Sequence, residues 1–176
     1  MTSCTAIEAA VEDAGQSFDR LIAANGPALS RLAASYTNTR SDRDDLLQEI
    51  AIAVWQALRR FRGECSERTF LFRIAHNRGI AWLARSRSPL LEAGEEFDAR
   101  DPAPDPEAGL AKEQTSERLR QAIHRLPLAY RQVITLTLEG LGYGEIAEVL
   151  GISESNVCVR LNRARQMLRE LMEKGR

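Results

Sequence analysis

Between Ser88 and Lys112 the chain changes character. Pro102, Pro104 and Pro106 alternate with Asp101, Asp105 and Glu107, and Gly94 and Gly109 add further breaks. Such a stretch cannot bury enough apolar surface to offset the entropy of ordering it, so it reads as a linker over 89–111. On either side, apolar residues recur every three or four positions and strand-like alternation is absent, which predicts helices. The 176 residues therefore divide into an N-terminal tail (1–16), a helical domain over 17–88, the linker, and a second helical domain over 112–174. The predicted class is all-α, with two small helical domains.

Charge follows the same division. Residues 59–87 hold eight arginines (59, 60, 62, 68, 73, 78, 85, 87) against Glu64 and Glu67, a balance of +6. Residues 156–176 hold six basic side chains against Glu170 and Glu173, a balance of +4. The intervening residues 92–107 carry seven acids against Arg100, a balance of −6. Two basic blocks around an acidic spacer suit two nucleic-acid contacts joined by a segment that avoids nucleic acid. The alternative is arginines that merely solvate helix surfaces.

Other classes are disfavoured. No window approaches 18 consecutive apolar residues, so no membrane span is expected. Met1 to Gln16 carry acids and no basic residue, unlike a signal peptide. Cys4, Cys65 and Cys158 lie far apart without ligand spacing, which suits a reducing cytoplasm and predicts neither a disulfide framework nor a metal site. No cofactor is implied.

Within the first domain, Gly26-Pro27 predicts a break and a fresh helix start. Ser41 reads as an N-cap, with Asp44 three residues on. The helix that follows would bury Leu47, Ile50, Val54, Ala57 and Phe61 on one stripe, with Gly63 at its end. A further helix from about Ser66 would turn Leu71, Ile74, Ala75 and Trp82 inward. Helices resume near Lys112 and run to Arg125, then from Pro127 to Glu139, then twice more.

The most specific local pattern is GYGEIAEVLGISESNVCVRLNRAR, where Ala147, Gly151 and Val157 stand at offsets 0, +4 and +10. A small residue permits close helix approach, a glycine takes the left-handed turn position, and an apolar residue packs the second helix on the first. This predicts a helix-turn-helix with Ser153 as N-cap. At 100° per residue, Val157, Leu161, Ala164 and Leu168 form the buried side. Ser155, Val159, Asn162 and Gln166 lie opposite, flanked by Asn156, Cys158 and Arg163, the residues placed to meet base edges. Arg163 suits a guanine edge and Asn162 an adenine. Arg165 and Arg169 suit phosphates, and Arg160 is half-turned toward the core.

Three collinear stretches carry a resemblance. They are DDLLQEIAIAVWQALRRF (44–61), FRGECSERTFLFRIAHNRGIAWLARSRS (61–88) and LRQAIHRLPLAYRQVITLTLEGLGYGEIAEVLGISESNVCVRLNRAR. Together the chain resembles bacterial RNA polymerase sigma factors of the extracytoplasmic-function type over residues 17–172. The resemblance implies region 2, a short linker and region 4, in that order. It implies a non-enzymatic promoter-specificity subunit that binds core polymerase, recognises the minus-35 and minus-10 elements and promotes opening. The expected partners are the clamp helices of the largest subunit, the flap of the second largest, promoter DNA, and in some members an anti-sigma factor.

Residue roles follow from the same resemblance. Asp45, Gln48, Glu49, Ile52 and Gln56, which share one helix face, match the polymerase-docking helix. The loop FRGECSERT and the next helix match the melting element. Phe72 and Asn77 would line a pocket for a flipped base, with Arg62, Arg68, Arg73 and Arg78 on phosphates. Phe70 replaces a usual tryptophan, Cys158 a common basic residue and Val159 a small polar one, which points to a different promoter preference. Some 24 linker residues average about 25–30 Å as a coil and reach about 80 Å extended. The two promoter elements lie on the order of 50–70 Å apart, so the linker must be held stretched, and its acids suit the polymerase's basic cleft.

Two other readings explain fewer of these residues. An ordinary helix-turn-helix regulator would leave the melting loop and the Asp45/Gln48/Glu49 face unexplained. A nuclease-like enzyme using Asp44, Asp45 and Glu49 on a metal would lack further ligands, since His76 and His124 are isolated.

Overall fold

The computed structural model describes residues 3–86 and 118–174, with side chains from residue 15 in the first stretch and up to residue 173 in the second. The expected linker (89–111) and the helix start near Lys112 lie outside the described residues. The described backbone is helical, with no strand, and the chain divides into two compact units, one before and one after Glu96.

In the first unit, α1 (Ser3–Ala34), α2 (Arg40–Leu58) and α3 (Glu67–Ser86) all pack on one another. The expected break at Gly26-Pro27 is absent: Pro27 lies inside α1, which also begins at Ser3, within the stretch expected as a tail (1–16). Leu21 before the proline and Ala28, Leu29 and Leu32 after it are buried. Both halves are thus held against one core, and packing overrides the lost backbone hydrogen bond. The α2 cap is Thr39, whose hydroxyl accepts from the Asp42 N–H at 3.1 Å, so the helix starts ahead of Ser41. Its buried stripe is Leu46, Ile50, Ala53 and Val54, whereas Leu47 is only half-buried. The helix ends at Leu58, and Phe61 falls beyond it. Gly63, with φ of 75°, takes the left-handed turn in the loop.

Ser66 opens α3, its Oγ accepting from the Thr69 N–H at 3.0 Å. Leu71 and Ala75 are buried as the periodicity predicts, while Ile74 and Trp82 are half-buried. Gly79 sits against Tyr36, where a Cβ would come within 2.5 Å of the ring. Only glycine lets α3 approach the turn that follows α1 so closely there.

The second unit contains α4 (described over 118–124), α5 (Leu128–Leu138), α6 (Tyr143–Leu150) and α7 (Glu154–Lys174). Helices α5 and α6 both pack on α7. Val133, Leu136, Ile146, Val157, Leu161 and Ala164 form the core, each at most 0 % exposed. Gly151 takes φ 64°, ψ 37°, and the Ile152 N–H returns to the Ala147 carbonyl at 3.0 Å, which makes the turn between α6 and α7.

Candidate nucleic-acid and partner interfaces

The outer ridge of α2 is unusual for a free surface. Ile52 is 58 % exposed and Trp55, one turn on, 38 % exposed. Asp45, Gln48 and Gln56 are exposed around them. An apolar centre with a polar rim is the composition of a protein-binding patch. Glu49 is different. It sits at the flank of the ridge, half-buried, and both carboxylate oxygens accept from Arg85 Nη2 of α3 at 2.7 Å. Arg85 in turn lies over the Trp82 ring, 5.6 Å from its centroid. Glu49 therefore joins α2 to α3 and is not a free acid on the docking ridge. Sequence periodicity put it with Asp45, and nothing local could reveal a partner 36 residues away.

Around the loop before α3, the residues expected to capture a base separate into two groups. Asn77, Arg62, Arg68 and Arg78 are exposed. Phe72 is not: its side chain is 0 % exposed, in the core of the unit. A base cannot stack on it without opening that core, so its expected place in the pocket is corrected. The Arg68 guanidinium covers the ring at 5.5 Å. Arg73 is half-buried, 6.0 Å from the Phe70 centroid. The accessible aromatic is Phe61, half-buried at the start of the loop and stacked on Phe70 with centroids 4.4 Å apart. It opens the stretch FRGECSERT and lies past the end of α2, not on the helical stripe expected for it.

Behind Asn77, the Tyr36 hydroxyl and His76 Nδ1 share a buried hydrogen bond of 2.7 Å. Burial pushes the His76 pKa down from 6.5 to about 4, because charging the ring inside the core would forfeit its hydration. The bond ties α3 to the turn that follows α1 and so sets the height at which Asn77 and Arg78 leave the surface.

In the second unit, α7 presents Ser155, Val159, Asn162, Arg163 and Gln166 as exposed residues opposite the buried Val157, Leu161, Ala164 and Leu168. Arg165 and Arg169 are exposed as well. Asn156 and Cys158 are half-buried. The Asn156 side-chain Oδ1 accepts from Arg160 Nε at 2.9 Å, and Asn162 Nδ2 approaches Cys158 Sγ at 3.8 Å. Ser153 caps α7, its Oγ accepting from the Asn156 N–H at 3.3 Å. An α-helix with this exposed row, N-capped and preceded by a tight glycine turn, has the form that enters a major groove. Among the described residues no group of three or more His, Cys, Asp or Glu side chains is placed to hold a metal ion.

Comparison with known proteins matches the same two units. Sigma-70 region 2 matches residues 21–88 and Sigma-70 region 4 matches residues 116–168. RNA polymerase sigma factor NccH of Alcaligenes xylosoxydans xylosoxydans is 34% identical over 98% of this chain and 98% of its own. This chain belongs to the sigma-70 family of RNA polymerase sigma factors.

The sigma factor also matches the ECF RNA polymerase sigma-E factor of Haemophilus influenzae, 30% identical over 96% of this chain and 94% of that one. It is therefore of the extracytoplasmic-function (ECF) group. Among solved structures, CnrH in complex with the cytosolic domain of CnrY superposes with a TM-score of 0.69 at 29% identity, covering 95% of this chain and 94% of that chain. The all-α, two-domain class expected from the sequence is thereby established, with region 2 in the first unit and region 4 in the second.

Proposed function

We infer that this sigma factor directs core RNA polymerase to promoters through two separate surfaces, one on each unit. The observation that carries the reading is the succession of region 2 and region 4 in one chain whose full-length relatives are polymerase sigma factors. In region 2, the α2 ridge of Asp45, Gln48, Ile52 and Gln56 docks on the polymerase, and Glu49 supports it from the flank through Arg85. The loop and α3 hold the opened minus-10 element, with Phe61 as the stacking aromatic, Asn77 as the amide that reads the base, and Arg62, Arg68, Arg73 and Arg78 around the backbone. Phe61 is supported by its accessible ring and by Phe70 behind it.

In region 4, α7 reads the minus-35 element. Ser155, Val159, Asn162, Arg163 and Gln166 meet base edges, and Asn156 and Cys158 border them. The apolar Val159, 49 % exposed, suits contact with a thymine methyl. The chain supplies no catalysis, which belongs to the polymerase, and it works in the cytoplasm, where polymerase and promoter are. No described helix is long and apolar enough to cross a membrane. CnrH has been captured with the cytosolic domain of CnrY, and by that precedent a regulatory anti-sigma partner fits this chain too.

The test is core binding by variants of the ridge. Asp45→Lys places a cation where the partner's cations must approach, on a side chain that is exposed, so the fold is retained. Core affinity in a pull-down should fall at least tenfold while helical content is unchanged. Retained affinity would remove the ridge from the interface.

A further inference from the structure

The turn that joins α1 to α2 (35–39) begins with three buried hydroxyl side chains. Ser35, Tyr36 and Thr37 are each at most 4 % exposed, and a buried hydroxyl needs a partner. Ser35 Oγ donates to the Leu32 carbonyl at 2.7 Å and Thr37 Oγ1 to the Ala33 carbonyl at 3.1 Å, which closes the last turn of α1. The Tyr36 hydroxyl instead crosses to His76 Nδ1 of α3. At the far end of the same turn Thr39 caps α2. One short segment thus ends α1, starts α2 and holds α3.

The hold on α3 has two points. The Tyr36 hydroxyl bonds His76, and the Tyr36 ring lies against Gly79, where no Cβ would fit. Asn77 and Arg78 stand between these contacts, both exposed. Apolar packing by Leu71, Phe72 and Ala75 also buries α3, but such contact is non-directional and tolerates small rotations about the helix axis. A hydrogen bond in a core weakens steeply with angle and does not. The Arg20–Glu67 and Glu49–Arg85 pairs reach α3 as well, on the exposed surface, where long side chains hold a geometry loosely. A group that captures a base must be held within about 0.5 Å and 10–20° of its working geometry. The buried Tyr36–His76 bond has the direction and the surroundings to do that.

We propose that Tyr36 is a positioning residue for promoter opening: its bond to His76 and its seat on Gly79 fix the rotation of α3, so that Asn77 meets the opened base at a set place relative to α2. This rests on the reading that Asn77 reads a base of the separated minus-10 element. It adds that the turn carrying the cap of the docking helix also sets the reading residue, so docking and reading are held in one frame.

Holoenzymes assembled from core RNA polymerase and the full chain test it, as wild type, Tyr36→Phe, Asn77→Ala and the double variant. Tyr36→Phe keeps the ring on Gly79 and removes only the hydroxyl. Core affinity should stay at the wild-type level, while permanganate reactivity of minus-10 thymines falls about three- to tenfold, the range for one neutral hydrogen bond. In the Asn77→Ala background the same substitution should cause no further loss, because the residue it positions is gone. A loss through lowered stability alone would appear equally in both backgrounds, so an equal loss overturns the proposal. So does unchanged opening by Tyr36→Phe, or a fall in core affinity that accounts for the fall in opening. His76→Gln, whose amide can still meet the hydroxyl, should open better than His76→Leu, and equal opening by the two counts against Tyr36 in the same way. If Asn77→Ala opens like wild type, the base-reading role of Asn77 falls and its positioning by Tyr36 with it. If Asn77→Ala impairs opening and Tyr36→Phe does not, Asn77 keeps its role and Tyr36 loses its own.

Discussion

The imidazole of His76 is buried against Tyr36, and its pKa falls to about 4. In the unfolded chain it titrates near 6.5. Between these values the unfolded state binds a proton that the native state refuses, so stability rises with pH across that window and is lost as pH falls from about 6.5 towards 4. The full effect is at most about 3 kcal/mol at 1.36 kcal/mol per unit. Urea unfolding of wild type and His76→Gln at pH 7 and 4.5 isolates it: the wild-type loss should exceed the variant's, and parallel losses would contradict the assignment. Two phenylalanines of the same unit should behave oppositely. Phe72→Ala empties a fully buried site and should cost about 3–5 kcal/mol of stability. Phe61→Ala should cost little stability but weaken open-complex formation by about 1–3 kcal/mol. Permanganate reactivity of minus-10 thymines reports the second, and undiminished reactivity would return Phe61 to a purely structural role.

At the scale of elements, α7 divides its arginines between two tasks. Arg163→Ala should relax preference at one base pair, by about 1–3 kcal/mol there, and Arg169→Ala should weaken all sequences alike with a smaller salt slope. Binding-site selection that returns one motif for wild type and Arg163→Ala would move the reading face elsewhere. This helix and its turn were legible in the sequence because the constraint is local. Gly151 must be left-handed, Ser153 must cap, and Val157 must meet α6, all within eleven residues of Ala147. Helices α1 and α2 were less so. Pro27 and Gly26 carry a strong local break signal, yet Leu21, Leu29 and Leu32 pack on a common core and the helix continues. The buried stripe of α2 runs through Leu46 and not the expected Leu47, and the helix ends at Leu58, short of Phe61. Phe61 instead belongs to the loop, with an accessible ring, whereas Phe72, which the resemblance puts in the pocket, lies on the core side of α3. The Glu49–Arg85 and Tyr36–His76 pairs join residues far apart in sequence. Periodicity carries no information about such pairs.

For the whole molecule, the sequence between the two units carries seven acids over residues 92–107, and we propose that they occupy the polymerase's basic cleft when both promoter elements are engaged. Exchanging residues 92–107 for a neutral Gly/Ser sequence of equal length should weaken core binding and alter escape into elongation, without changing the folding of either unit. Unchanged transcription and core affinity at low salt would leave only a passive spacer. Region 2 and region 4 then act as two contacts on one polymerase, and the account as a whole depends on that joint action. It is tested most directly by transcription in vitro on a genomic library with purified core RNA polymerase, with and without the chain. The account predicts transcripts from discrete start sites that share two upstream elements and that disappear with Asp45→Lys. Transcription identical to that of core enzyme alone, with the chain bound to DNA but not to polymerase, would contradict it.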